Sequence, residues 1–271
     1  GQMGIATYIP FPKFSFKTLR GEKKIRSRGN RKIAFFYGCF INFYRPDIGR
    51  KIMRMLQSFD INVVLPPQVC CGLPALGNGN LALARTFARK NVASLSNYID
   101  AGYDIVYTCT SCGLCLLQDY MGILEIPEAK KIAENSYDLH EYLLKLIAER
   151  EISPVFREVN RSLAYHIPCH LRALKIGYPA AELMKRIPGL DVAILDDACC
   201  GLSGSYGFKT TNEATACELG ARAVSLIRKT GAKAIVADCG SCRMQLSGLS
   251  GMDAFDPSEI LCESLGIRNK K

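Results

Sequence analysis

No apolar run in this chain of 271 residues approaches the ~18 residues that a membrane-spanning helix requires, so no transmembrane segment is expected. The start, GQMGIATYIP, lacks the basic stretch followed by an apolar one that marks a secretory leader. No P-loop, nucleophile elbow or paired-carboxylate site occurs anywhere. Phosphate-loop NTPase, serine-hydrolase and glycosidase chemistry therefore have no residues to rest on. Gly201, Gly204 and Gly207 are spaced wrongly for the dinucleotide fingerprint G-x-G-x-x-G. Histidine is scarce, limited to His140, His166 and His170.

Positive charge and cysteine are abundant. The net charge is +10, and much of the excess lies between Lys13 and Lys32. Residues 1–30 read as a basic leader. No aromatic-interleaved module accompanies it, so nucleic acid is not an expected partner. The leader reads as a solvated arm, or as an arm that docks on anionic lipid or an acidic partner. Thirteen cysteines in a chain with no visible secretion signal point to metal ligands or redox groups rather than structural disulfides.

The cysteines reveal a tandem repeat. Cys39 answers to Cys169, Cys70 to Cys199, Cys71 to Cys200, Cys109 to Cys239 and Cys112 to Cys242, each pair 129 or 130 residues apart. The context matches too, with TCTSC at Thr108–Cys112 against DCGSC at Asp238–Cys242. Each copy carries a single Cys, then CCG, then C-x-x-C. An internal repeat of this kind has to be recognised before any fold is assigned.

The apolar pattern predicts matching elements in the two copies. Strands are expected at Lys32–Phe36, Asn62–Leu65 and Asp104–Tyr107, and again at Leu163–His166, Val192–Leu195 and Ala234–Val236. Helices are expected from Pro46, through Ala84 to Ile99 with Gly102 as the stop, and over about 212–228. The fold class is therefore α/β, a tandem pseudo-twofold repeat of two small, mostly parallel-sheet βαβ units. The first copy spans 31–122 and the second 161–271. Between them, 123–160 reads as a helical linker whose Leu139, Tyr142, Leu143, Leu146 and Ile147 pack an arm across both copies. Every cysteine group follows a predicted strand. Ligand loops gather beyond the carboxyl ends of parallel strands, so five thiols should converge at one edge of each sheet.

Thiolates suit zinc, copper(I) and iron–sulfur clusters. Tetrahedral zinc takes four ligands, and a cubane cluster also takes four. Five cysteines exceed either need, and adjacent thiolates can reach different metal atoms.

This arrangement resembles the cysteine-rich CCG domain, which occurs in the B subunit of heterodisulfide reductase, in glycolate oxidase iron–sulfur subunits and in the C subunit of anaerobic glycerol-3-phosphate dehydrogenase. YGCFINFYRPDIG (Tyr37–Gly49), YHIPCHLRALKIGYPAAEL (Tyr165–Leu183) and CCGLSGSYGFK (Cys199–Lys209) are most similar to the C-terminal region of the last group. The resemblance implies a CCG domain in each copy and two non-cubane 4Fe–4S clusters. One would lie on Cys39, Cys70, Cys71, Cys109 and Cys112. The other would lie on Cys169, Cys199, Cys200, Cys239 and Cys242. It also implies an electron-transfer subunit placed between flavoprotein dehydrogenase subunits and the quinone pool, cytoplasmic or peripheral on the inner face of the cell membrane. Members of that last group normally carry ferredoxin motifs as well. Here Cys109, Cys112 and Cys115 begin such a spacing, but Asp119 stands at the fourth position. The chain is then either a C-terminal piece of a longer protein or a relative without that wiring.

Two alternatives stay open: a thiol–disulfide catalyst of the heterodisulfide reductase kind, and a structural module with zinc in one or both sites. Cys115, Cys217 and Cys262 fall outside the repeat and read as small buried hydrophobes. His166 and His170 flank Cys169, but the first copy has Phe36 and Phe40 there, which argues for supporting rather than ligand roles. His140 reads as a surface or core residue.

Overall fold

The computed structural model describes residues 18–21 and 27–268. The expected basic leader lies largely outside them. Two four-stranded sheets follow one another along the chain, and every strand pairing is parallel. The first sheet holds β1 (Lys32–Phe36), β2 (Asn62–Val64), β3 (Asp104–Tyr107) and β4 (Ser136–Asp138), in the order β2-β1-β3-β4. The second holds β5 (Arg161–His166), β6 (Leu190–Leu195), β7 (Ala234–Val236) and β8 (Ala254–Phe255), in the order β6-β5-β7-β8. The two orders are the same, as a duplicated unit requires.

In chain order the helices are α1 (Gly38–Phe43), α2 (Pro46–Ser58), α3 (Leu73–Gly77), α4 (Leu81–Asp100) and α5 (Thr110–Leu114). A π-helical turn over Cys115–Asp119 leads to α6 (Tyr120–Gly122), α7 (Ala129–Glu134) and α8 (Leu139–Ala148). The second copy contributes α9 (Cys169–Leu174), α10 (Pro179–Met184), α11 (Glu213–Lys229), α12 (Gly240–Ser250) and α13 (Pro257–Ser264). Pro46, Pro179 and Pro257 open their helices at positions where a missing N–H costs nothing.

The stretch expected to be a helical linker contains the fourth strand of the first sheet. β4 pairs with β3 just as β8 pairs with β7. Each of these strands runs into a helix capped by its last or next residue, Asp138 for α8 and Asp256 for α13. The structural repeat therefore continues past the cysteines. A three-residue strand reading Ser-Tyr-Asp and a two-residue one carry too little apolar pattern to announce themselves.

Alternation along the strands sorts side chains into separate cores. Ile33, Phe35, Leu163 and Tyr165 face one shared core with Ile52, Met55, Leu143, Leu183 and Leu261, which joins the copies. Within it α8 of the first copy packs on α10 of the second, and α13 of the second packs on α2 of the first. Ala34 and Phe36 face a second core that contains Cys71 and Cys112. Ala164 faces a third, with Cys200, Cys239 and Cys242. Cys71, Cys112, Cys200, Cys239 and Cys242 thus lie on the sheet faces turned away from the shared core.

A buried polar seam also crosses between the copies. His140, fully buried, places Nδ1 3.4 Å from Asp138 Oδ1 and 3.7 Å from Asp238 Oδ1, ion-pair distances without a well-angled hydrogen bond. Its Nε2 lies 3.2 Å from Ser258 Oγ. The Tyr165 hydroxyl donates to Asp238 Oδ2 at 2.6 Å, and Arg243 donates to Asp256 Oδ2 at 2.7 Å.

Candidate metal centres

In this strand order the chain leaves the first sheet in opposite directions from β1 and β3, and ligands bind beyond the carboxyl ends at such a point. Cys39 lies three residues beyond the end of β1, and Cys109 caps α5 two residues after β3. Cys70 and Cys71 lie on the turn that leads into α3. The second copy repeats the plan, with Cys169 opening α9, Cys199 and Cys200 on a turn, and Cys239 capping α12. All ten sequence-predicted cysteines therefore stand at the carboxyl ends of the two sheets.

Exposure grades alike in the two nests at four of the five positions. Cys39 and Cys169 are exposed, Cys70, Cys109 and Cys199 are half-buried, and Cys71, Cys112, Cys200 and Cys242 are buried. Cys239 is buried as well, unlike its counterpart. The adjacent cysteines turn to different neighbours: Cys70 faces Cys39, whereas Cys71 faces Cys112. In the second nest Cys200 Sγ lies 3.2 Å from Cys242 Sγ. Cys169 stands further out and feels Cys200 and Cys239 only as charges.

The glycine of CCG has a conformational task. Gly72 has φ of 97° and Gly201 has φ of 91°, values that L side chains rarely adopt. The turn aims each glycine N–H back at the first cysteine of its pair, Gly72 at Cys70 Sγ (3.5 Å) and Gly201 at Cys199 Sγ (3.4 Å). Gly38 matters by closeness: a Cβ there would meet Cys112 Sγ at 3.1 Å.

Shared protons polarise the thiols. Cys112, then Cys115 and Cys70, hold Cys71 well below the usual thiol range. Cys199 and Cys242, with help from His166, do the same for Cys200. Cys239 falls to about 6, chiefly through Cys242. Their partners Cys70, Cys112, Cys199 and Cys242 are pushed up by the same contacts. Thiolate is the form that binds metal, and in each nest the lowered thiols, Cys71 in the first and Cys200 and Cys239 in the second, are the ones that ionise first. Five converging sulfurs with glycine N–H groups beside them fit an iron–sulfur cluster by donor chemistry.

Several residues that the sequence pattern does not mark hold these turns. Asn91, fully buried on α4, accepts from Val69 N–H (2.9 Å) and donates to the carbonyl of Cys70 (3.1 Å) and to Tyr120 Oη (3.0 Å). Tyr120 donates to the carbonyl of Cys71 at 2.8 Å. Gln68 accepts from Gly38 N–H at 3.0 Å and donates to the carbonyl of Phe35 at 3.2 Å. Asn91 left one signal: a polar residue seven positions after Ala84, on the apolar face of α4. Cys115 is the small buried residue expected, with an added polar contact. It faces Cys71 and donates to Asp119 Oδ2 at 3.5 Å, so a sixth sulfur borders the first nest. Gln245 holds the equivalent place in the second copy.

The nests share a wall. Ser111, between the two C-x-x-C cysteines of the first, places Oγ 2.8 Å from His170 Nδ1 and 3.9 Å from Cys239 Sγ of the second. On the symmetry-related side Phe40 lies against Gly240, where a Cβ would come within 2.6 Å of its ring. His170 and Phe40 are thus pseudo-equivalent residues, each pressing on the other copy's C-x-x-C.

The sequence pattern of the cysteine-rich (CCG) domain matches residues 33–117 and 163–247. Among curated relatives, the C subunit of anaerobic glycerol-3-phosphate dehydrogenase from Escherichia coli K12 is 29% identical over 260 residues, covering 94% of this chain and 65% of the relative. The B subunit of fumarate reductase (CoM/CoB) from Methanothermobacter marburgensis is 30% identical, covering 85% of this chain and 46% of the relative. Lactate utilization protein A of Shouchella clausii is 28% identical, covering 80% and 90%. The chain spans less than two thirds of the length of the first two. A crystal structure of a hypothetical protein from Helicobacter pylori shares the fold, with a TM-score of 0.55 at 13% identity over 95% of this chain and 53% of that one. No helix among the described residues is long and apolar enough to cross a membrane.

Proposed function

The chain belongs to the cysteine-rich CCG domain family, and from that premise we propose that it is an iron–sulfur electron-transfer subunit with one non-cubane 4Fe–4S cluster in each nest. Cys39, Cys70, Cys71, Cys109 and Cys112 hold the first cluster. Cys169, Cys199, Cys200, Cys239 and Cys242 hold the second. When bound, such clusters supply one-electron redox chemistry. Electrons enter from a flavin-containing dehydrogenase of the glycerol-3-phosphate dehydrogenase kind and leave to the quinone pool. The chain works in the cytoplasm, peripheral to the inner face of the membrane. The relatives whose names describe subunits of dehydrogenases and reductases support this assignment.

The observation that carries the reading is the shared wall, where one serine touches both nests. Two redox groups in one chain serve a relay only if they are neighbours, and an exposed cysteine on each nest gives the relay two ends.

The test is iron, acid-labile sulfide and zinc analysis on anaerobically purified protein, with EPR on the same sample. About eight iron and eight sulfide per chain, four of each per centre, is the expected result. Zinc without iron would withdraw the redox assignment and leave a structural module.

One feature favours a second reading. A 480 Å³ cavity lined by Arg20, Tyr37, Cys39, Asn42, Gln68 and Cys70 opens on the first nest. A small disulfide could reach Cys39 there, as heterodisulfide cleavage would need. Cluster-dependent disulfide reduction by the isolated protein would support that reading.

A further inference from the structure

The two nests agree at five sulfurs and differ in what surrounds them. The last residue of β1 is Phe36, and the last residue of β5 is His166. Both side chains point to the cysteine side of their sheets, and both residues are about 1% exposed. Phe36, a hydrocarbon side chain, shares its buried cluster with Cys71 and Cys112. In the second nest the ligand atoms of His166, Cys200 and Cys242 all lie within 4.8 Å of one another.

A buried imidazole N–H has to find an acceptor inside the protein, because an unsatisfied donor there is costly. Two sulfurs, those of Cys200 and Cys242, lie within 4.8 Å of a ring nitrogen, and both become thiolates when the nest binds metal. Histidine in place of phenylalanine at this position also gives up apolar packing, which a polar contact offsets.

We propose that His166 donates its ring N–H to the thiolate sulfurs of Cys200 and Cys242 in the metal-loaded second nest, a hydrogen bond that the first nest lacks. A donor on a cluster sulfur stabilises the reduced form, which carries the extra negative charge, so it raises the reduction potential. The second centre is thereby the stronger electron acceptor than it would be with phenylalanine, and it draws electrons across the Ser111 wall. His166 is a positioning residue here: it acts through sulfur and leaves the five-cysteine ligand set intact. The consequence for potential rests on the cluster assignment made above, whereas the hydrogen bond itself requires only metal-bound thiolates.

The test has two arms. The first needs no iron: the full chain is loaded with cadmium-113 and its histidine rings are followed by nitrogen-15 NMR. The expected result is a His166 ring nitrogen that keeps its N–H and whose signal shifts on loading. A one-bond cadmium–nitrogen coupling would make His166 a ligand and overturn the proposal, as would a ring signal unmoved by metal.

The second arm is redox titration of the iron-loaded protein. H166F should retain iron in both centres and lower the midpoint of the second alone. H166Q, which keeps an N–H donor, should fall between H166F and the parent. F36H should raise the first. An unchanged second midpoint in H166F, with both centres loaded, would also overturn the proposal. The first centre's EPR signal serves as the internal control for folding. Failure to bind iron in any variant, together with a normal cadmium result, would count against the cluster assignment and not against the hydrogen bond.

Discussion

The two CCG glycines look interchangeable in sequence, and the structure says that they are not. Gly72→Ala places a side chain in a left-handed turn, which costs about 1–3 kcal/mol in strain. Its new Cβ meets nothing closer than the Ala84 carbonyl oxygen at 3.4 Å, an ordinary contact. Gly201→Ala incurs the same strain, but its Cβ would lie 2.2 Å from the Ala216 carbonyl oxygen and 3.1 Å from Gly220 N. Both are backbone atoms of α11 and cannot rotate away, so the turn or the helix must move. Overpacking of that kind adds about 1–3 kcal/mol. Gly201→Ala should therefore cost about 2–6 kcal/mol, roughly twice the loss in Gly72→Ala. The movement also displaces Cys199 and Cys200, so iron should leave the second centre selectively. Urea unfolding of the reduced protein under argon measures the first quantity, and iron per chain with EPR measures the second. Equal losses in the two variants, or a larger one in Gly72→Ala, would refute the reasoning. So would full iron in the second centre of Gly201→Ala.

Other outcomes follow from the same geometry. Cys71→Ser should damage only the first centre and Cys200→Ser only the second, read as iron per chain and by EPR; two unchanged spectra would show that the paired cysteines are not ligands. Asn91→Leu leaves Val69 N–H and the Cys70 carbonyl without their partner, a cost of about 1–3 kcal/mol per buried group, and iron loss from the first centre should precede any from the second. His140 gives a pH dependence. Burial disfavours its charge, but Asp138, Asp238 and Asp256 outweigh that and raise its pKa above the ordinary 6.5. The folded state then holds more protons than the unfolded one, so this contribution is complete below pH 6.5 and is lost as pH rises through the folded value. Asp238, pushed up to about 7 chiefly by burial, adds a slope of the same sign below that pH. The urea midpoint of the parent should fall with rising pH more steeply than that of His140→Gln; parallel slopes would remove His140 from the account.

The strands that deliver cysteine were legible because each is a compact apolar run followed by its cysteine. Lys32–Phe36, Asp104–Tyr107 and Ala234–Val236 have those bounds in the structure. β4 and β8 were not legible, because an edge strand of two or three residues needs almost no apolar side chains. That gap made 123–160 read as a linker, although Ser136–Asp138 completes the first sheet. The grouping of the cysteines followed from the repeat. The residues that hold the cysteine turns did not, because Asn91, Tyr120 and Gln68 act through backbone carbonyl and N–H groups that any sequence possesses. Only a folded chain shows which of those groups lie within reach.

The repeat groups the cysteines and says less about what stands beside them. Phe36 at the first site argued against a ligand role for His166 at the second and for a supporting one. The sulfurs do match, five in each copy at corresponding positions. A relay, however, gains direction only from a difference between its two centres. Hydrogen bonds to sulfur, neighbouring sulfurs and exposure are the protein's means of making one. Cys115 against Gln245, His166 against Phe36, and buried Cys239 against half-buried Cys109 are three such differences, all within the nests or on their walls. With the clusters placed as proposed, the positions where the repeat fails, directly beside cysteines where it holds, are therefore the places to look for what sets the direction of electron flow.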